Sequence, residues 1–96
     1  MKRALVTGGS GTLGGAMAIA LAASGHHVYV QAHHHLKAAE SIIASIHANG
    51  GTATLLMFDV TDEMATREVL EPLVESSAIQ VVVHNAGIHH RSEERV

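Results

Sequence analysis

A short, wholly apolar run, Ala4-Leu5-Val6, passes directly into the glycine-rich stretch Thr7-Gly8-Gly9-Ser10-Gly11-Thr12-Leu13-Gly14, and a stripe of helical period begins at Leu13. A strand that is apolar on both sides predicts burial on both faces of a sheet. A glycine turn joining such a strand to a helix predicts a βα unit, and the same succession recurs down the chain. Leu13, Ala16, Met17, Ala20 and Leu21 follow the spacing of one helix face, stopped by Ser24-Gly25. Val28-Tyr29-Val30 reads as the second strand, and Leu36, Ala39, Ile43 and Ile46 form a second helical stripe that ends at Asn49-Gly50-Gly51. Residues 52–58 read as the third strand. Thr61 is the expected N-cap of a third helix, with Asp62 and Glu63 in the first turn, where the helix dipole favours acids. Ala65, Val69 and Leu73 would face the sheet, and Pro72 should kink or end that helix. Residues 79–83 are the last strand and the most uniformly apolar run. Four strands and three helices in strict alternation predict an α/β fold, a doubly wound parallel sheet of order 3-2-1-4.

Length sets how much of such a fold can be present. Ninety-six residues, 47% hydrophobic and 16% charged, make one unit spanning 1–96. A doubly wound fold usually needs roughly 200 residues or more, so the sheet is expected to be incomplete. The chain has no cysteine, which excludes a disulfide framework, thiolate catalysis and cysteine zinc motifs. Six basic residues against nine acidic ones give a net charge of -3 with no basic stripe, which argues against nucleic acid as a partner. The apolar run after Met1-Lys2-Arg3 stops at Thr7-Gly8-Gly9, too early for a secretory signal or a membrane span. The expected location is the cytoplasm.

Gly9, Gly11 and Gly14 have the spacing G-x-G-x-x-G, which alone is a weak signal. Its place between a strand and a helix strengthens it. A dinucleotide pyrophosphate requires a tight turn, a backbone without Cβ atoms in the way, and the amides of a helix N-terminus. The alternatives are a turn that merely joins two elements and a Walker loop. Gly9 and Gly14 have the Walker spacing, but Gly15-Ala16 stand where Lys and Ser/Thr are required. At the end of the second strand, where an acid would accept from the adenosine ribose 2′-OH, the chain has Ala32-His33-His34-His35, and no acid occurs before Glu40. A carboxylate would repel a 2′-phosphate, whereas imidazoles such as His33 can accommodate it, so NADP(H) is favoured over NAD(H). A solvated histidine cluster is the alternative.

Thr7-Gly8-x-x-Gly11-x-x-Gly14, then Asp59-Val60, then Asn85-Ala86-Gly87 resemble the short-chain dehydrogenase/reductase family, and the overall texture is most similar to the 3-oxoacyl-(acyl carrier protein) reductases. The resemblance implies that Gly8, Ser10, Gly11, Thr12, Leu13 and Gly14 line the pyrophosphate. It implies that Asp59 accepts from the adenine amino group, that Val60 packs beside the ring, and that Asn85, Ala86 and Gly87 pass under the adenosine ribose. From the residues alone, Asp59 could equally be an acid flanking a helix. His84 stands where the family usually has the first asparagine of Asn-Asn-Ala-Gly, and Gly11 stands where many NADPH-using members carry arginine.

The family's chemistry relies on a Tyr-x-x-x-Lys pair with a positioning serine. The only tyrosine here is Tyr29, inside a strand, with His33 four residues on. No catalytic residue is therefore assigned, and the chain is expected to be the amino-terminal, cofactor-binding part of a reductase. The resemblance implies that a complete parent reduces a carbonyl, that of a 3-oxoacyl thioester, and forms homo-oligomers. The rival class is a non-catalytic module that binds NAD(P) or another adenine nucleotide. Ser10 lies in G-G-S-G-T, not in the nucleophile elbow of a serine hydrolase. Nine histidines invite a metal reading, but no zinc spacing occurs and no metal site is assigned. Finally, Val81-Val82-Val83 would form an apolar sheet edge, which predicts poor solubility for the 96 residues alone.

Overall fold

The computed structural model describes residues 2–9 and 11–84. Its elements are β1 (Lys2–Thr7), α1 (Thr12–Ala23), β2 (His26–Ala32), α2 (Leu36–Ala48), β3 (Thr52–Met57), α3 (Glu63–Ser76) and β4 (Val81–His84). All strand pairs are parallel and the order is β3-β2-β1-β4, as the sequence predicts. Because the strands are parallel, the glycine turn and the segments after β2 and β3 all leave from one edge of the sheet, that of the strands' carboxyl ends.

Side chains alternate between the two faces of each strand, and the two faces are held by different means. On one face Val6, Val28 and Val30 join Ala18 and Ala22 of α1 and Ile46 of α2 in a buried cluster. The stripe predicted for α1 is not its buried face. Leu13 is 60% exposed, Ala16 and Ala20 are also exposed, and the buried residues are Gly14, Gly15, Ala18 and Ala22. The smallest side chains face inward because the helix lies close to its neighbours: a Cβ added at Gly15 would come within 2.6 Å of Ile42 Cδ1. In α2 the expected stripe holds at Ala39 and Ile46, with Ile42 and Ile43 packed beside the cluster. Leu36, at its N-terminus, is 45% exposed.

The opposite face depends on polar ties. α3 has no buried residue. Its C-terminal turn is held by Arg3, whose Nη1 donates to the carbonyls of Leu73 (3.0 Å) and Ser77. That support, with Ser76 Oγ donating to Leu73 O, accounts for a helix that runs past Pro72 to Ser76, where the sequence suggested an end or a kink. The N-cap is Asp62, not Thr61: its carboxylate accepts from the Ala65 amide at 3.1 Å. β2 extends back to His26 because His27 pairs with Arg3 on one side and Thr52 on the other. The last strand begins at Val81, two residues later than expected. Gln80 instead clasps the start of β1, donating to Arg3 O and accepting the Arg3 amide at 2.8 Å. Among the described residues β4 pairs with β1 alone, and Val82 is 62% exposed.

Candidate functional site

The turn after β1 is built by its glycines. Gly8 has φ +67°, a left-handed conformation that side chains with a Cβ rarely adopt. Gly9 is packed against β2: its amide donates to Gln31 O at 2.9 Å, and an added Cβ would lie 2.5 Å from Val30 Cγ1. Gly11 closes the turn by donating to Gly8 O at 3.2 Å and then serves as the N-cap of α1. As glycine it offers no capping side chain, and the first turn of α1 contains no acid. A helix leaves its first amides without intrahelical partners and carries partial positive charge at that end. Thr12, Leu13 and Gly14 form this first turn, with Thr12 and Leu13 exposed and Gly14 buried. The arrangement is suited to an anion and presents no carboxylate that would repel one. Ser10 lies outside the described residues.

The second flank is formed by the ends of β2 and β3. Phe58 continues the pairing one step past β3, its amide donating to Ala32 O at 3.1 Å. This brings His33 and Asp59 together, with Nδ1 of His33 3.9 Å from Oδ2 of Asp59 and both side chains more than a third exposed. Such a pair is weak in solvent. The other carboxylate oxygen, Oδ1, accepts from the Thr61 amide (2.9 Å) and from Thr61 Oγ1 (2.7 Å). Those two hydrogen bonds, reinforced by His33 and His34, hold the Asp59 carboxyl below its ordinary range. Asp59 is thus an ionised group fixed by a local turn, while Asp62 caps the helix. His33 and His34 lie ring against ring, with centroids 4.0 Å apart. Val60 follows Asp59 and is half-buried.

The structure therefore brings together at one sheet edge Gly8, Gly11, Thr12, Leu13, Gly14, His33, Asp59 and Val60. Asn85, Ala86 and Gly87 lie outside the described residues. His84, which precedes them, bonds through Nδ1 to Thr7 Oγ1 at 3.0 Å. Tyr29 is remote from this edge and engaged elsewhere, its hydroxyl accepting from Arg3. Among the described residues no group of three or more His, Cys, Asp or Glu is placed to hold a metal ion, and no helix is long and apolar enough to cross a membrane.

One residue escaped the sequence reading. Gln31 is 2% exposed; it accepts the Gly8 amide on Oε1 at 2.8 Å and donates through Nε2 to Phe58 O at 2.6 Å. The available signal was a polar residue directly after the Val28-Tyr29-Val30 run, before the strand's end at Ala32.

A parallel sheet of this order, with a glycine turn opening onto the N-terminus of its first helix, defines the first half of a dinucleotide-binding, Rossmann-like α/β fold. The comparisons carry this to a family. The family model for short chain dehydrogenases matches residues 2–95, and the chain belongs to that family. It is 40% identical over 86 residues to a 3-oxoacyl-[acyl-carrier-protein] reductase of Synechocystis, a match covering 88% of this chain and 35% of that protein. It is 39% identical over 88 residues to versicolorin reductase 1 of Aspergillus parasiticus, covering 91% of this chain and 34% of that one. A crystal structure of a short chain dehydrogenase from Burkholderia cenocepacia in complex with NADP superposes with a TM-score of 0.82 at 36% identity, covering 95% of this chain and 38% of that one. The chain spans about a third of the length of the curated relatives it matches.

Proposed function

We propose that this chain is the nicotinamide-dinucleotide-binding part of a carbonyl oxidoreductase, that it favours NADP(H) over NAD(H), and that the complete protein reduces a 3-oxoacyl thioester. The observation that carries the reading is the convergence at one sheet edge of an acid-free helix N-terminus and the His33–Asp59 pair. The donor set fits the cofactor: the amides of a helix N-terminus for the pyrophosphate, a carboxylate for the adenine amino group, and imidazole for a 2′-phosphate. The NADP complex of the Burkholderia relative and the reductase from Synechocystis support the cofactor and the substrate class.

In this reading the amides of Ser10, Thr12 and Leu13 bind the pyrophosphate, Gly11 lines it while its own amide closes the turn on Gly8 O, and Gly8 and Gly14 supply the turn and the close approach of α1. Asp59, held ionised by Thr61, accepts from the adenine amino group while Val60 covers the ring edge. His33 faces the ribose 2′ position. Asn85, Ala86 and Gly87 continue from β4 beneath the adenosine ribose. The bound nicotinamide supplies hydride chemistry. Proton delivery is assigned to residues outside these 96, since no Tyr-x-x-x-Lys occurs among them.

The test is calorimetric titration of the intact protein with NADPH and with NADH, for wild type and Gly11→Asp. The N-cap backbone at Gly11 (φ -80°, ψ 170°) suits aspartate, so the helix is kept while a negative charge is set at the proposed pyrophosphate site. The reading expects micromolar binding by wild type and a loss of about tenfold or more in the variant. Equal affinities would overturn it.

A further inference from the structure

The proposed cofactor site has two flanks on separate loops, the glycine turn after β1 and the segment after β3, each tied to β2 by a main-chain bond, Gly9 N–H to Gln31 O at 2.9 Å and Phe58 N–H to Ala32 O at 3.1 Å. β2 lies between β1 and β3. Its penultimate residue, Gln31, reaches both flanks. The Gly8 amide donates to Oε1 at 2.8 Å, Nε2 donates to the Phe58 carbonyl at 2.6 Å, and the main-chain carbonyl of the same residue accepts the Gly9 amide at 2.9 Å. The amide orientation is unambiguous, because a peptide N–H can only donate and a carbonyl can only accept.

We infer that Gln31 is a positioning residue of the dinucleotide site, a buried amide brace that sets the spacing between the pyrophosphate turn and the adenine flank. This rests on the dinucleotide reading above. Gly8 is the residue held at positive φ, so the bond to its amide fixes the peptide that aims the turn. Phe58 immediately precedes Asp59, so the bond to its carbonyl fixes the backbone from which the adenine-facing carboxylate extends. A ligand that touches both flanks binds in proportion to how well their separation is preset. Gln31 is 2% exposed, and its side-chain amide is engaged by two main-chain groups. Its effect is therefore expected in affinity.

The experiment is titration of the intact protein with NADPH, reading dissociation constant and stoichiometry separately, for wild type, Gln31→Met and Gln31→Asn. Methionine matches glutamine in length and removes both side-chain bonds. Asparagine keeps the amide but is one methylene short, so it retains one bond at most. The expected result is a dissociation constant raised about tenfold in Gln31→Met, with a smaller rise in Gln31→Asn and full stoichiometry in both. A merely structural role would lower the competent fraction and leave the dissociation constant unchanged, and that result overturns the inference. Wild-type affinity in Gln31→Met overturns it too. If the methionine variant does not fold, the asparagine variant decides on the same two readouts. Failure of wild type to bind either NADPH or NADH would instead overturn the underlying dinucleotide reading, and it is seen before any variant is compared.

Discussion

The guanidinium of Arg3 donates to the hydroxyl of Tyr29 through Nη2 at 2.7 Å and Nε at 3.2 Å, with its carbon 5.0 Å from the ring centroid. Arg3 is 8% and Tyr29 9% exposed, so the contact lies inside the molecule. The same guanidinium carries the last turn of α3, a helix that buries none of its own side chains. Removing it takes one donor from each of the Leu73 and Ser77 carbonyls at a helix end, where Leu73 O keeps Ser76 Oγ and the Ser77 amide. Arg3→Met is expected to destabilise by about 2–3 kcal/mol and Tyr29→Phe by about 1 kcal/mol. Urea unfolding checks the totals. Hydrogen exchange should show α3 opening first in Arg3→Met while α1 and α2 stay protected.

His33 offers a direct test of cofactor choice. In His33→Asp a carboxylate replaces an imidazole at the proposed ribose 2′ position, where it would repel a phosphate and accept from a free hydroxyl. A charge pair about 4 Å apart near a surface is worth on the order of 1–4 kcal/mol. NADPH affinity should fall about tenfold or more, and NADH affinity should hold or improve. Parallel titrations of both cofactors check the crossover.

Acid sensitivity should begin at His27. Its rings of contact are Thr52 Oγ1 at 2.8 Å, Thr54 Oγ1 at 2.9 Å and the edge of Tyr29. Burial, then the positive charge of Arg3, then His47, hold its pKa below the ordinary 6.5. The folded state thus binds a proton less readily than the unfolded chain, so this contribution is complete above pH 6.5 and is lost as pH falls through the depressed value. Asp59 acts in the same direction in a separate window, below its ordinary 3.8. Urea midpoints at pH 7.5, 6.5 and 5.5 should decline for wild type and stay flat for His27→Gln.

Two glycines should respond differently to alanine. At Gly9 the new Cβ meets Val30 Cγ1 at 2.5 Å, on a stiff β-branched side chain that is fully buried. At Gly15 it meets the terminal Cδ1 of Ile42, which can rotate away, and the helix gains propensity. Gly9→Ala is expected to lose about 1–3 kcal/mol and Gly15→Ala less than about 1 kcal/mol. Val30→Ala in the Gly9→Ala background should recover part of the loss, as thermal midpoints would show.

The apolar edge gives a solubility prediction. Val82 is 62% exposed on a strand that pairs on one side only among the described residues. Residues 1–96 expressed alone should self-associate through such an edge. Val82→Lys should raise the soluble fraction and shift the species seen by analytical ultracentrifugation toward monomer; no change would show that another surface drives association.

Element order and strand order were legible because apolar runs of strand length alternate with stretches of period 3.6 and glycines mark the junctions. The buried face of α1 was not. A helix in which Leu13, Met17, Ala18, Ile19 and Leu21 crowd together is apolar all round, so periodicity cannot choose a face, and the close approach at Gly15 decides it. The cap of α3 was displaced by one residue because Thr61 and Asp62 are both good caps, and Thr61 instead binds Asp59. For the candidate site, the glycine turn, His33 and Asp59 could be placed by spacing from strand ends. Gln31 could not, since its role depends on contacts 23 and 27 residues distant in sequence.

The turns at Gly25 and Gly50, with φ +99° and +86° and no atom within 4 Å of an added Cβ, stand at the rim where β2 and β3 begin. Parallel strands put that rim a full strand length from the glycine turn. A dye, an affinity handle or a surface tether attached at the Asn49-Gly50 bend would therefore leave the end that carries the glycine turn open to solution, and the protein could be immobilised there in a single orientation.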